Sequence, residues 1–323
     1  MSDYYFGDGG PVAEWAPSGG PKPDFATCLL YLDRGDDLEH IAPLLQLWYD
    51  EASRLLLPFV QPLGAPEPTR SLSAYEENAE GRGRRRRPGT WAEGLTEDLF
   101  QLSAHWFDVT PSSIASELDL YVFRFAQRRH VKLQVSIGFQ DRPDRLPLVL
   151  PALVELTRSV ADVADPSYGE IVVNAETVSP ATMLDSALYR PNEESARTSR
   201  TRLRGYEWVT VCPKELTPVV GGVSALRAGG AFSEVLPLAH GGALLRATES
   251  PADYRADRVR AVFRALAPVL PSGQPCDLPG HDLSRVVFAD ARNPTPNLDL
   301  GPGLAPGAGP RRSPLDPLDL GLV

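Results

Sequence analysis

The chain has 323 residues, of which 42% are hydrophobic and 23% charged, and its formal net charge is −10. That apolar share is enough for a packed core and excludes a wholly disordered chain. The acidic balance lacks the basic footprint of a general nucleic-acid binder and suits a basic partner or an ordinary cytosolic setting.

Residues 1–24 hold five glycines and four prolines, so they are expected to form a flexible leader. No basic start followed by an apolar run marks a secretory signal there. Phe25–Asp33 reads as a strand. Leu38, Ile41, Leu45, Trp48 and Leu55 then recur at helical spacing, with Pro43 suited to a first turn that starts as late as Ala42. Pro58, Pro62, Pro66 and Pro68 predict a rigid connector after it. Residues 73–90 segregate their charges, with Glu76, Glu77 and Glu80 ahead of Arg82 and Arg84–Arg87. That block is read as a solvated Arg-rich loop.

Leu95–Phe107 is a short helix or strand. Leu118–Ala126 and Val131–Phe139 flank a polar turn and form the clearest hairpin. In its second arm Val131, Leu133, Val135, Ile137 and Phe139 alternate with Lys132, Gln134 and Ser136, the period-two signature of a strand with one buried face. Leu150–Val163 is an amphipathic helix stopped at Asp165-Pro166, and Glu170–Asn174 is a short strand. After a polar stretch, Gly205–Cys212 is a strand. Ala231–Leu238 and Ala243–Thr248 are a hairpin around His240-Gly241-Gly242. Ser250 caps a last helix carrying Val259, Val262, Phe263, Leu266 and Leu270. Arg285–Phe288 adds an edge strand, and residues 289–323 are a disordered Pro/Gly-rich tail. Hairpins outnumber crossovers, so the fold class is α+β with mainly antiparallel sheet packed by a few amphipathic helices. The ordered part spans 25–288, in lobes of about 25–175 and 200–288.

Catalytic signatures are missing. There is no GxSxG elbow, no HExxH, no GxxxxGK, and the five histidines are scattered. Cys28, Cys212 and Cys276 form no CxxC pair, so neither a metal site nor a disulfide framework is expected, and no cofactor is implied. Cys212 at a strand end, approached by His240 or His281, is the remaining enzyme idea. No apolar run is long enough to span a membrane. Trp106 and Trp208 are candidate interface anchors, since tryptophan is enriched at binding hot spots. Glu97, Asp98 and Glu207 are the acidic contact candidates for a basic partner.

The order of segments resembles that of the bacterial polymorphic-toxin immunity proteins, in particular immunity protein family 52, or a related type VI immunity-like family. The resemblance lies in the opening strand and Trp48 helix of Phe25–Leu57, the Arg-rich Gly83–Arg87, Glu97-Asp98-Leu99, and His105-Trp106-Phe107. It continues through the hairpin of Leu118–Phe139, the helix Pro151–Val163, Asp165-Pro166, Trp208, Gly241-Gly242 and the helix Ala256–Leu270. It implies a cytoplasmic, non-catalytic protein that binds and neutralises a cognate secreted toxin, such as a nuclease. It names no oligomeric state. The alternative is a dispersed-site hydrolase using Cys212 or a histidine.

Overall fold

A computed structural model of the chain describes residues 25–61, 69–77, 83–107, 113–125, 129–139, 143–173, 181–182, 184–185, 188, 190–254 and 256–271. The expected leader, the tail, the Arg285–Phe288 strand, Cys276 and His281 lie outside these residues.

Ten strands form one antiparallel sheet in the order β3-β2-β4-β5-β6-β1-β7-β8-β10-β9. They are β1 (Phe25–Leu32), β2 (Thr69–Glu77), β3 (Gly83–Arg86), β4 (Leu99–Phe107), β5 (Glu117–Phe125), β6 (His130–Gly138), β7 (Tyr168–Val173), β8 (Val209–Cys212), β9 (Glu234–Pro237) and β10 (Ala243–Arg246). The helices are α1 (Leu38–Val60), the single turn α2 (Trp91–Gly94), α3 (Leu146–Ala164), α4 (Asn192–Arg197), α5 (Gly222–Ala228) and α6 (Ala256–Leu266). The α+β class with a mainly antiparallel sheet is therefore the observed one.

The central strand, β1, is the most apolar. Its neighbours are β6 on one side and β7 on the other, so both its edges and both its faces are inside. β7 in turn pairs with β8. The sheet thus runs without a break through the boundary between the two expected lobes.

α1 begins at Leu38, earlier than the prolines suggest, because the Asp37 side chain accepts from the His40 N–H and caps the first turn. It also continues through Pro58, where a connector was expected. Leu56 and Val60 are fully buried, and the Phe59 carbonyl accepts from both Ile114 and Ala115 N–H groups. Those anchors outweigh the backbone bond that proline removes near a helix end. α1 and α3 pack side by side on one face of the sheet and bury Leu45, Trp48, Leu56, Leu153, Leu156 and Val160. α3 stops where Asp165 turns left-handed at φ 46°.

The 73–90 segment corrects the loop reading. Ala74–Glu77 pairs with Gly83–Arg86 as a hairpin at the sheet edge. Glu76 is in register with Arg84 and pairs with both Arg84 and Arg86, so opposite charges meet where the composition suggested only a solvated run, while Glu80 and Arg82 lie outside the described residues.

Candidate binding face

Alternation along β2, β4, β5 and β6 splits the side chains into two sets. Leu72, Ala74, Leu102, Ala104, Leu118, Leu120, Val122, Leu133 and Val135 are buried under the helices. The other set comprises Ser73, Tyr75, Ser103, His105, Asp119, Tyr121, Phe123, Lys132, Gln134 and Ser136. It points to the opposite face and lies in register across the four strands.

Only part of that second face is covered among the described residues. Over β1 and β7 the described residues between 181 and 206 pack down on it. The Arg204 guanidinium lies 4.2 Å from the Tyr31 ring centroid, and Tyr206 meets Phe263 of α6 at 6.1 Å. Over β4 and β5 His105, Asp119, Tyr121 and Phe123 stay half-buried, and Phe107 is exposed. The open part is an aromatic and polar strip. Tyr121 and Phe123 stack at 5.5 Å, His105 meets the Tyr121 edge at 5.2 Å, and His105 stacks on Phe107 at 6.3 Å.

Within the covered part sits a buried charge cluster, which reaches the open part through Lys132 of β6. Arg204 and Asp185 form an ion pair at 2.9 Å with both side chains fully buried, and Ser195 Oγ donates to Asp185 Oδ1 at 2.6 Å. Tyr168 Oη donates to Glu170 Oε2 at 2.6 Å. Burial, reinforced by the Glu207 charge, pushes the Glu170 carboxyl up to about 8. Lys132 is 0% exposed and stands 4.7 Å from the Phe123 ring centroid. Burial, with Arg204 as a like charge nearby, brings its ammonium down to about 7. Through Asp185, Ser195 and Arg204 this cluster fixes the covering residues on the sheet and so sets where the open strip begins.

One string on the open face has the order of a hydrolytic triad. Asp119 Oδ1 lies 2.7 Å from His105 Nδ1, and His105 Nε2 lies 3.1 Å from Ser103 Oγ. Its surroundings do not suit nucleophilic chemistry. Ser103 is 2% exposed. It also lies mid-strand, paired to Ser73 on one side and Tyr121 on the other, so the nearby backbone N–H groups are spent in ladders and offer no oxyanion hole. Cys212 is equally unsuited, since burial pushes its thiol up to about 12, away from the thiolate a nucleophile needs. His240 lines the same crevice as Cys212, but that crevice admits no water-sized volume. Among the described residues no group of three or more His, Cys, Asp or Glu side chains is placed to hold a metal ion. No helix among them is long and apolar enough to cross a membrane.

No protein-family model and no curated protein sequence matches the chain. Among solved structures, the T6SS protein PA0821 of Pseudomonas aeruginosa is similar, with a TM-score of 0.48 and 16% identity over 80% of this chain and 78% of that one. A chain of the crystal structure of the toxic C-terminal tip of CdiA from Pseudomonas aeruginosa in complex with immune protein is similar with a TM-score of 0.26 and 8% identity, over 47% of this chain and 88% of that one. At those values neither likeness speaks to activity.

The contact candidates read from the sequence divide in two. Trp106 is 3% exposed, Trp208 1% and Glu207 6%, so none of the three presents a surface to a partner. Trp208 alternates with valines as expected, yet both sheet faces are covered at β8, and its Nε1 donates to the Thr248 carbonyl at 2.9 Å. Trp106 lies on the helix side, with Tyr49 of α1 at 6.0 Å. Glu97 and Asp98 are exposed in the turn before β4. Their backbones are fixed, since Arg124 Nη1 donates to the Glu97 carbonyl at 3.0 Å and the Glu77 N–H to that of Asp98 at 2.8 Å. The aromatic strip on β4 and β5 was missed. Its signal was the odd-numbered set Glu117, Asp119, Tyr121 and Phe123, which reads as a polar-aromatic face opposite Leu118, Leu120 and Val122.

Proposed function

We propose that the protein is a non-catalytic binding protein of the immunity type, which captures a secreted toxin domain in the cytosol and blocks it. The observation that carries this reading is the open aromatic strip of His105, Phe107, Tyr121 and Phe123 on a rigid sheet. Aromatic side chains with polar neighbours supply contact area at low entropic cost and are typical interface anchors. The order of elements along the chain, strand first and then a tryptophan helix, hairpin, helix and terminal hairpin-helix unit, supports the same reading through its resemblance to immunity proteins. The buried Ser103 and Cys212 favour binding over hydrolysis.

Co-expression tests it. The product of the adjacent gene is produced with and without this protein, and growth is followed. Rescue together with a co-purifying complex is the expected result. A toxic neighbour that is not rescued, or rescue that persists with no complex, overturns direct neutralisation.

A further inference from the structure

The four-arginine run does not act as one charge. β3 alternates, so Arg84 and Arg86 turn to the helix side and both reach Glu76, at 3.0 and 2.9 Å. Arg85 turns the other way, with its Nε donating to Ser73 Oγ at 3.0 Å, and Arg87 follows it. Among the described residues neither has a carboxylate partner. Together with Arg70, whose Nη1 donates to Tyr49 Oη at 3.1 Å, they line a groove of about 420 Å³ with Ser71, Ser73, Pro88 and His105.

The groove runs along a free strand edge. β3 pairs only with Ala74–Glu77, while β2 continues back to Thr69 against β4. The outer side of Arg70–Ser73 therefore has no strand beside it among the described residues. Alternation directs the N–H and C=O of every second residue there outward, unpaired. A strand edge left open among the described residues, and two guanidinium groups on its open face with no carboxylate partner among them, ask for the same ligand.

We infer that this groove takes an extended acidic peptide segment, which adds as a strand on the outer edge of Arg70–Ser73 and sets its carboxylates against Arg85 and Arg87, which turn to the same face. The edge supplies main-chain hydrogen bonds and the arginines supply bidentate, charge-assisted ones. A nucleic acid is disfavoured on two counts. It carries no main-chain N–H and C=O pattern to pair with the strand edge, and no row of aromatic rings lines the groove for base stacking. The inference does not rest on the toxin reading, since it concerns the chemistry of a ligand at one edge.

The test is fluorescence anisotropy on the full chain with a short labelled peptide of alternating Glu and Val. Three controls accompany it: the Lys-Val counterpart, the Glu-Val peptide N-methylated on one edge, and a single-stranded oligothymidylate. The expected results are saturable binding of the Glu-Val peptide alone, a loss of about tenfold or more on N-methylation, and a similar loss in the R85E/R87E double variant. Both substituted side chains are exposed, so an unchanged thermal melt confirms that the variant is folded. Failure of the Glu-Val peptide to bind overturns the proposal. So does binding indifferent to R85E/R87E or to N-methylation, or oligothymidylate binding of equal strength.

Discussion

Lys132 and Glu170 lie on one buried face of the sheet, on the strands either side of β1, with their ionisation displaced in opposite directions, and the pH dependence of stability follows from both. Glu170 keeps its proton in the folded chain up to about 8, so it draws stability down as pH rises from the ordinary carboxylate range to that point. Lys132 loses its proton in the folded chain at about 7 and in the unfolded chain only near the usual lysine value, so it adds stability as pH rises above 7. Between 7 and 8 the two oppose each other, and above 8 the lysine acts without that opposition. Lys132→Met removes the second effect. Relative to the variant, the native protein should gain up to about 1.4 kcal/mol per pH unit between 7 and 8.5, read from urea midpoints at each pH. Parallel curves for the two proteins contradict the displaced lysine. Trp208 gives a simpler expectation at the same scale: Trp208→Ala should cost about 3–5 kcal/mol in a denaturant titration, as a filled core position does. Glu97→Lys with Asp98→Lys should stay within about 0.5 kcal/mol, as exposed turn positions do.

β7 is the element on which the two halves of the sheet depend, and it is held by a glycine. Gly169 lies between Leu30 of β1 and Val211 of β8 in register. A Cβ there would stand 2.5 Å from Leu30 Cδ2 and 3.1 Å from the Leu29 carbonyl oxygen. The side chain can shift, but the strand backbone cannot. Gly169→Ala should therefore destabilise by about 1–3 kcal/mol, measured by the denaturation midpoint. A neutral result means that β1 and β7 slide apart more easily than their pairing suggests. The sequence made some elements plain and hid others for identifiable reasons. The β5–β6 hairpin was legible because each strand has one apolar face, so the period of two survives in the residue types. β2 and β3 were hidden because their alternation is written in charges: Glu76 against Arg84 and Arg86 on one face, and Arg85 with Tyr75 on the other. α1 was legible in its stripe and not in its ends, since Asp37 capping and the contacts of Phe59 override the two prolines. Trp208 was misplaced because alternation locates a side chain on a face, while only the docking of the described residues between 181 and 206 and of α6 decides which faces remain open. The aromatic strip was hidden for the same reason.

At the scale of the whole molecule the charge is unevenly spent. The chain carries a net −10, yet the Arg70, Arg85 and Arg87 edge is locally basic and lies beside a strip whose contacts are mainly aromatic. Under the proposed toxin-binding role these parts act at different stages of association. The diffuse negative field governs encounter with a basic partner, whereas the rings at Tyr121 and Phe123 govern how long the complex lasts. The two contributions separate by kinetics. Raising ionic strength from about 50 to 500 mM shortens the Debye length to a few ångströms and should lower the association rate about tenfold, with little change in dissociation. Tyr121→Ala with Phe123→Ala should do the reverse, raising the dissociation rate about tenfold or more and leaving association nearly unchanged. Both side chains are half-buried on the open face, so thermal melts of the double variant establish that the sheet persists. Surface plasmon resonance with the co-purified partner reads both rates. If the double variant instead slows association and keeps the lifetime of the complex, the strip is not the contact, and the partner engages the acidic surface elsewhere on the molecule.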